Sequence, residues 1–356
     1  MGVEVHIDGY TAGYFTDEYS VTLEPSCQFE ISVNPYSDPD RIGEVCRKFY
    51  DLWTPIFAEL GYHFSFGGNL EKVERGIIDP LEIPLSPKKR YGFMDRYFRT
   101  SGTCGKYMMR ASASTQVSVD YSSEADMVRK LQILQKISPV LAIMMENKYS
   151  PDSVLQVPGG QPHLFRIQEW ENLDPARTGF IPHSMDDDFG YEKLADEIYR
   201  TPLILLTDGG ETTWVGSSSA KDLAESGQIS EDLPAKERTA LIEHFISMGF
   251  FHFRIKKYIE IRIADCVPLP KALGYTALLK GIVYSEESLA TLEKELSDVK
   301  TADEIEEVYA RIERDGLNAV IYGGKSARAW ADHLKELAGA SLPEKDLKHL
   351  AELKYQ

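Results

Sequence analysis

The sequence predicts an α+β fold built around an antiparallel sheet, and two observations carry that reading. Strand-like runs at 21–33, 112–120, 203–207 and 254–263 are separated by helix-like stretches without the regular strand–helix–strand period of a parallel sheet. Beyond about 285 the pattern turns to charged amphipathic helices, as in SEESLATLEKELSDV, TADEIEEVYARIERD and SARAWADHLKELAG. We therefore expect a sheet-containing region over 1–284 and a helical C-terminal region over 285–356.

Each element has a local cause. In the run TLEPSCQFEISV at 22–33, strand alternation places Glu24, Gln28 and Glu30 on one face and Phe29, Ile31 and Val33 on the other, with Pro25 and Ser26 able to mark a bulge. A half-solvated strand with a wet polar face is the plain alternative to a functional one. The segment 37–61 carries an apolar stripe at Ile42, Val45, Phe49, Leu52 and Trp53, follows an Asp-Pro start and stops at Gly61, which predicts a helix. A second helix is expected after Ser122 or Ser123 as N-cap, with Glu124 and Asp126 in its first turn, where acids suit the helix dipole. The stretch 148–190, with Pro151, Pro158, Gly159, Gly160, Pro162, Pro175, Gly179 and Pro182, is expected to be irregular and functional.

Composition narrows the function. The chain has 356 residues with 56 acidic against 39 basic side chains, a net charge of −17, which argues against a nucleic-acid partner. No apolar run approaches the roughly 20 residues that span a bilayer, and MGVEVHIDGY has no signal-peptide character, so no membrane partner is expected and the cytoplasm is the default. Cys27, Cys46, Cys104 and Cys266 form no CxxC pair, which disfavours a zinc site or a disulfide framework. Cys27 is expected to be a buried, inert thiol, His244 and His252 core-edge or loop residues, and Met108, Met109, Met144 and Met145 core filler.

An acidic protein that handles anions must gather its cations locally. Basic runs stand at PKKR (87–90) and RIKKYIEIR (254–262), the first of which could equally be a solvated loop. In KYIEIRIAD at 257–265, alternation puts Lys257, Ile259, Ile261 and Ile263 on one face and Tyr258, Glu260 and Arg262 on the other. An acid and an arginine side by side can bind a metal and the phosphate that metal carries. RIQEWENLDPARTG at 166–179 offers Arg166, Trp170, Asp174 and Arg177, and SASTQVSVD places Ser112, Ser114, Gln116 and Ser118 on one face.

Together TLEPSCQFEIS, IPLSPKKRYGFM, QVSVDYSSEADMVRK, RIQEWENLDPARTGFIP, MDDDFGY and YIEIRIAD resemble, in order from about Tyr19 to Asp265, the plant and bacterial type of glutamate-cysteine ligase, or γ-glutamylcysteine synthetase. The resemblance implies a glutamine-synthetase-like antiparallel sheet around an active-site funnel. It implies ATP as co-substrate and Mg²⁺ as cofactor, with glutamate and cysteine as substrates. ATP would phosphorylate the γ-carboxylate of glutamate and the cysteine amine would displace phosphate, the first step of glutathione synthesis. By the same resemblance Glu24, Glu30 and Glu260 are metal-binding acids. Arg262, with Arg254 and Gln116, is the catalytic set, and Lys88, Arg90 and Tyr91 lie on the family's PKxRY run as cofactor-binding residues. Arg166, Trp170, Asp174, Arg177 and Thr178 fall on its WxxxDxxRTG loop and its flank as residues that grip amino-acid carboxylates.

The sequence departs from the pattern at its front. Family members carry a GxExE strand well upstream of LEP, whereas 23 residues precede Glu24, and Gly2-Val3-Glu4-Val5-His6 puts histidine where the second acid would stand. We read these residues as the hairpin before LEP, so the chain is expected to begin inside the catalytic domain. A γ-glutamyl ligase with another acceptor amine and a truncated, non-catalytic nucleotide- or amino-acid-binding relative are the alternatives. Motifs do not indicate the oligomeric state.

Overall fold

A computed structural model describes residues 2–150, 153–208, 210–230 and 232–355. Among them, nine strands run in chain order as β1 (Val3–Ile7), β2 (Tyr10–Phe15), β3 (Tyr19–Leu23), β4 (Phe29–Val33), β5 (Val117–Asp120), β6 (Pro202–Asp208), β7 (Glu211–Ser219), β8 (Phe253–Ile255) and β9 (Tyr258–Ile261). They form an antiparallel meander β1-β2-β3-β4, a three-stranded antiparallel sheet β5-β9-β8 and a hairpin β6-β7. With the helices between and after them this is an α+β protein. Asp8 and Gly9, at φ 53° and 84°, make the tight turn between β1 and β2, the hairpin expected before LEP.

The expected single strand over 21–33 is two strands joined by a turn. Thr22 pairs with Glu30 and Leu23 with Phe29, and the chain reverses over Glu24–Gln28, where the Glu24 amide donates to the Gln28 carbonyl (2.9 Å) and the Cys27 amide to the Glu24 carbonyl (2.9 Å). Cys27 reaches φ 64° to close it, and the Ser26 amide donates to the Gln28 side chain (2.8 Å). Pro25, which has no N–H to offer a ladder, sits in this reversal. The expected strand over 254–263 is likewise a hairpin, turning at Lys256 and Lys257, with Arg254 opposite Glu260. Of the run 112–120 only Val117–Asp120 forms a strand, while Ser112 and Ser114 make isolated bridges to Asn69 and Asp265.

The apolar face of β3–β4 packs on the helix Pro39–Glu59, where Phe29 meets Phe49, Trp53 and Phe57 with ring centroids 5.0–5.8 Å apart. That helix starts at Asp38, whose side chain accepts from the Asp40 amide, and ends before Gly61 at φ 80°. The second expected helix runs Glu124–Met144 with Ser123 as its N-cap. The helices after 285, Glu286–Glu295, Ala302–Asp315, Ala327–Ser341 and Glu344–Glu352, share one buried cluster with the helices Glu124–Met144 and Leu269–Val283 and with the inner face of β5-β9-β8. The segment 148–190 is largely irregular, as expected, but contains the helix Phe165–Glu171; Pro151 lies outside the described residues. No helix among the described residues is long and apolar enough to cross a membrane.

Candidate active site

Strand pairing places Arg254 directly across from Glu260, and alternation along the chain brings Arg262 to the same side. The result is one carboxylate held by three cations: Arg254 Nη2 at 2.6 Å, Arg262 Nη1 at 2.9 Å and Lys256 Nζ at 2.9 Å. Burial alone would raise the Glu260 carboxyl, but Arg262, Arg254 and Lys256 outweigh it and hold it at about 2. The isoleucines of the other face, Ile259, Ile261 and Ile263, are buried at 0–1% exposure and anchor the strand. Arg262 also reaches the exposed Gln116 of the neighbouring chain segment (3.4 Å), whose amide nitrogen donates to Ser114 (3.1 Å).

The turn Glu24–Gln28 docks beside this cluster. Its anchors are Ser86, whose amide donates to the Pro25 carbonyl (2.7 Å), Lys88 Nζ and the Tyr91 hydroxyl, which both donate to the Leu23 carbonyl (2.6 and 3.1 Å), and Gln28, which donates to the Ser112 carbonyl (3.4 Å). Glu24 is thereby held near Glu30, Lys88, Arg90 and Arg262; burial first, and the charge on Glu30 second, push its carboxyl up to about 7, while the three cations pull the other way. Arg90 is within electrostatic reach of both Glu24 and Arg254, so it links the turn to the β8–β9 hairpin. Burial lowers the Lys88 ammonium and raises the Tyr91 hydroxyl. Residues distant in sequence thus bring five cations, Lys88, Arg90, Arg254, Lys256 and Arg262, to three carboxylates, within a chain whose net charge is −17.

Next to Arg262 lies a small cavity of about 10 Å³ lined by Arg166, Trp170, Phe250, His252 and Arg262, among others. Arg166 and Trp170 sit one turn apart on the helix Phe165–Glu171, and the guanidinium carbons of Arg166 and Arg262 lie 5.6 and 5.7 Å from the Trp170 ring. Arg166 donates to the Arg262 carbonyl (2.8 Å), yet its Nε and the Trp170 Nε1 are buried without partners. Burial, with Arg166 and Arg262 nearby, depresses His252 to about 3, so its imidazole is neutral and adds no charge. Two orphan donors beside a guanidinium, with space for one water-sized group, suit an oxygen of an anion.

Several side chains sit otherwise than strand alternation suggests. The Glu260 oxygens are engaged by three cations, and among the described residues no three His, Cys, Asp or Glu side chains converge. Glu24 and Glu30 do come together, through the hairpin and not through a shared strand face. Asp174, Arg177 and Thr178 are turned on one another and not toward the cavity. Arg177, fully buried, donates to Asp174 (2.7 Å) and to the Met248 carbonyl (3.0 Å), and the Thr178 hydroxyl donates to the Asp174 carbonyl (2.8 Å). Backbone bonds from Phe250 to Arg177 and from His252 to Gly179, both 2.7 Å, show what this knot does: it seats the segment that leads into β8. Cys27 is exposed, because it lies in the turn and not on a strand. His244 Nε2 donates to the Leu205 carbonyl (2.9 Å) and His252 is buried. Lys256 went unselected in the sequence, although a lysine four residues before Glu260 in a basic run, once read as a hairpin turn, points back at that acid.

Comparison with known proteins identifies the family of the chain. Chloroplastic glutamate–cysteine ligase of Medicago truncatula is 29% identical over 335 residues, 92% of this chain and 62% of the relative. That of Nicotiana tabacum is 30% identical over 312 residues, 86% of this chain and 56% of the relative, and glutamate–cysteine ligase B of Oryza sativa subsp. japonica, also chloroplastic, is 28% identical over 338 residues, 94% and 65%. The chain thus spans 56–65% of the length of these three relatives. The model of glutamate-cysteine ligase family 2 matches residues 8–355, and the chain belongs to that family.

Proposed function

We propose that the chain is an ATP-dependent ligase that joins the γ-carboxylate of glutamate to the amine of cysteine through a γ-glutamyl phosphate, on a glutamine-synthetase-like sheet around an active-site funnel. The observation that supports this reading best is the gathering of Lys88, Arg90, Arg254, Lys256 and Arg262 beside Glu24 and Glu30, because the reaction brings a polyphosphate and a carboxylate, both anionic, to one place. Glu260 is the organiser of this cradle: one buried charge that holds three cations together. Arg262 and Arg254 stabilise charge that develops on the transferring phosphoryl group, Lys88, Arg90 and Tyr91 flank the nucleotide, and Gln116 steadies Arg262.

The donor set fits Mg²⁺ in part. Glu24 and Glu30 are oxygen ligands; burial and, after it, the Glu30 charge hold a proton on Glu24 up to about 7, and a hard divalent cation would offset both. Mg²⁺ characteristically uses one or two carboxylates and completes its shell with water and substrate phosphate, so Glu24 and Glu30 are the residues that would hold it. When bound it supplies charge neutralisation on the phosphates. The orphan Arg166 Nε and Trp170 Nε1, with Arg262 beside them, receive a carboxylate oxygen of the amino-acid substrate. Asp174, Arg177 and Thr178 hold that wall in place.

The test is release of phosphate from ATP by the purified chain with glutamate, Mg²⁺ and a panel of amines. Release that depends on both glutamate and cysteine is expected. Release with glutamate and some other amine moves the acceptor, and no amine-dependent release removes the ligase reading.

A further inference from the structure

Arg166, which brings its orphan Nε to the cavity beside Arg262, lies within electrostatic reach of Asp265, a carboxylate that the proposed reaction does not use. Asp265 follows Arg262 by three residues, at the isolated bridge to Ser114, and is 8% exposed. Its Oδ2 accepts from the Asn147 amide (2.9 Å). Gly68 makes room for it, because a Cβ there would lie 2.5–2.6 Å from the carboxyl carbon and both oxygens. The carboxyl is therefore fixed in place, in an interior where charges are weakly screened.

The other groups around it do not take over its part. Glu169, on the same helix as Arg166, is held well above the ordinary carboxylate range by burial, so it keeps its proton and leaves the guanidinium charge uncancelled. Burial pushes the Cys266 thiol up to about 11, so it too is neutral. Glu146 accepts from the Leu164 amide (2.7 Å) and meets His163 Nδ1 (3.0 Å), while Lys271 donates to the Glu146 carbonyl (3.2 Å). Burial, with the Glu146 charge adding to it, pushes the Asp265 carboxyl up to about 7 against the Asn147 amide, Arg166 and Lys271. An ionised Asp265 offsets the charge of Arg166, and it repels any anion that comes to the Arg166 Nε. Given the cavity's proposed part as receiver of the substrate carboxylate, on which this rests, we propose that Asp265 is the protein's own competitor for Arg166: a positioning residue that takes a proton from solvent when a substrate carboxylate enters, so that the amino acid binds together with a proton. One negative charge arrives as another is neutralised, and the charge around Arg166 is balanced in both states.

The experiment is calorimetric titration of the whole chain with L-glutamate at pH 6 and pH 8, with a further pair of titrations at pH 7.5 in two buffers of different ionisation enthalpy to count protons. Wild type is expected to bind glutamate roughly 5–10-fold more weakly at pH 8 than at pH 6, since the proton on Asp265 must then be drawn from a more dilute supply, and to take up a large fraction of one proton at pH 7.5. Asp265→Asn keeps the shape and the bond from the Asn147 amide but cannot ionise. It is expected to match wild type at pH 6 and to bind roughly 5–10-fold more tightly than wild type at pH 8, with the proton uptake gone. A merely structural role for Asp265 would instead weaken binding at both pH values. Where D265N does not fold, the proton count of wild type decides alone. Binding by D265N at pH 8 that is no tighter than that of wild type, or wild-type binding without proton uptake, overturns the proposal. Failure of wild type to bind glutamate at either pH removes the reading of the cavity itself, and the part given to Asp265 falls with it.

Discussion

Glu260→Gln removes one charge and leaves three. The side chain is nearly isosteric, so the β8–β9 hairpin keeps its shape, but Arg254, Lys256 and Arg262 lose the carboxylate that holds them at 2.6–2.9 Å. The guanidinium-bearing side chains of Arg254 and Arg262 are only 15% and 11% exposed, so water cannot fully take over. Removing one partner of a buried ion pair costs about 3–5 kcal/mol, chiefly because it strands the other charge. Lys256, at 32% side-chain exposure, adds little to that figure. We expect E260Q to be destabilised by about 3–5 kcal/mol in urea denaturation at pH 7.5 and low salt.

Its pH dependence carries the sign. The Glu260 carboxyl is held at about 2 in the folded protein against an ordinary 4.5, so its contribution is fully present above about 4.5 and is lost as pH falls toward 2. The difference between wild type and E260Q should therefore be flat above pH 5 and shrink below it. Triphosphate, an anion that can replace the lost carboxylate, should recover stability more in E260Q than in wild type. A difference below about 1 kcal/mol, the worth of an ordinary surface pair, together with equal response to triphosphate, would refute the three-cation cradle.

Three further outcomes follow from the same geometry. Arg262→Lys keeps the charge and loses the planar fork, so turnover should drop on the order of 10²–10³-fold while the KM for ATP changes little; an unchanged turnover number would remove Arg262 from phosphoryl transfer. Glu24, raised to about 7, keeps a proton that the unfolded chain has lost between pH 4.5 and 7, so wild type should lose stability relative to Glu24→Gln as pH climbs through that window, by on the order of 3 kcal/mol; parallel melting curves from pH 4.5 to 8 would show that burial and the Glu30 charge do not act on Glu24. Cys27 is exposed while Cys46 and Cys104 are buried with thiols pushed up to about 11, so a chromogenic thiol reagent should label Cys27 first under native conditions, and Cys27→Ser should remove that fast phase.

The helices were legible because their signals are local. Asp38 and Ser123 cap where expected, and Gly61 terminates where its positive φ permits. The alternation in YIEIR survived because β9 is continuous from Tyr258 to Ile261 and the Arg262 amide carries on bonding, to the His252 carbonyl (3.0 Å). In TLEPSCQFEISV the same alternation failed. Period-two counting assumes an unbroken strand, and a reversal of five residues still leaves Glu24 and Glu30 as neighbours, so the inference reached the correct pair through the wrong geometry. A loop motif displays charge and hides burial, so the bond between Asp174 and Arg177 is not evident in it. Their i,i+3 spacing was the available clue that the two could satisfy each other.

Two glutamates of the same site are driven to opposite ends of the carboxylate range, and that divergence separates their work. Glu260 meets three cations and stays ionised to about pH 2, so near neutrality it holds a charge and no proton. Glu24 meets burial and a second carboxylate, and near neutrality it stands between a proton and a charge. Environments that push like groups apart sort them into structural and reactive roles. A divalent cation arriving at Glu24 and Glu30 displaces a proton from Glu24, so its affinity should rise with pH across the region of 7 and flatten above it, whereas a cation arriving at Glu260 would have to break three ion pairs and would show no such dependence there. Titration of Mg²⁺ binding by calorimetry at pH 6 and pH 8 therefore tells the two locations apart: stronger binding at pH 8 with proton release places the ion on the Glu24–Glu30 pair, and pH-independent binding that E260Q abolishes would place it on Glu260.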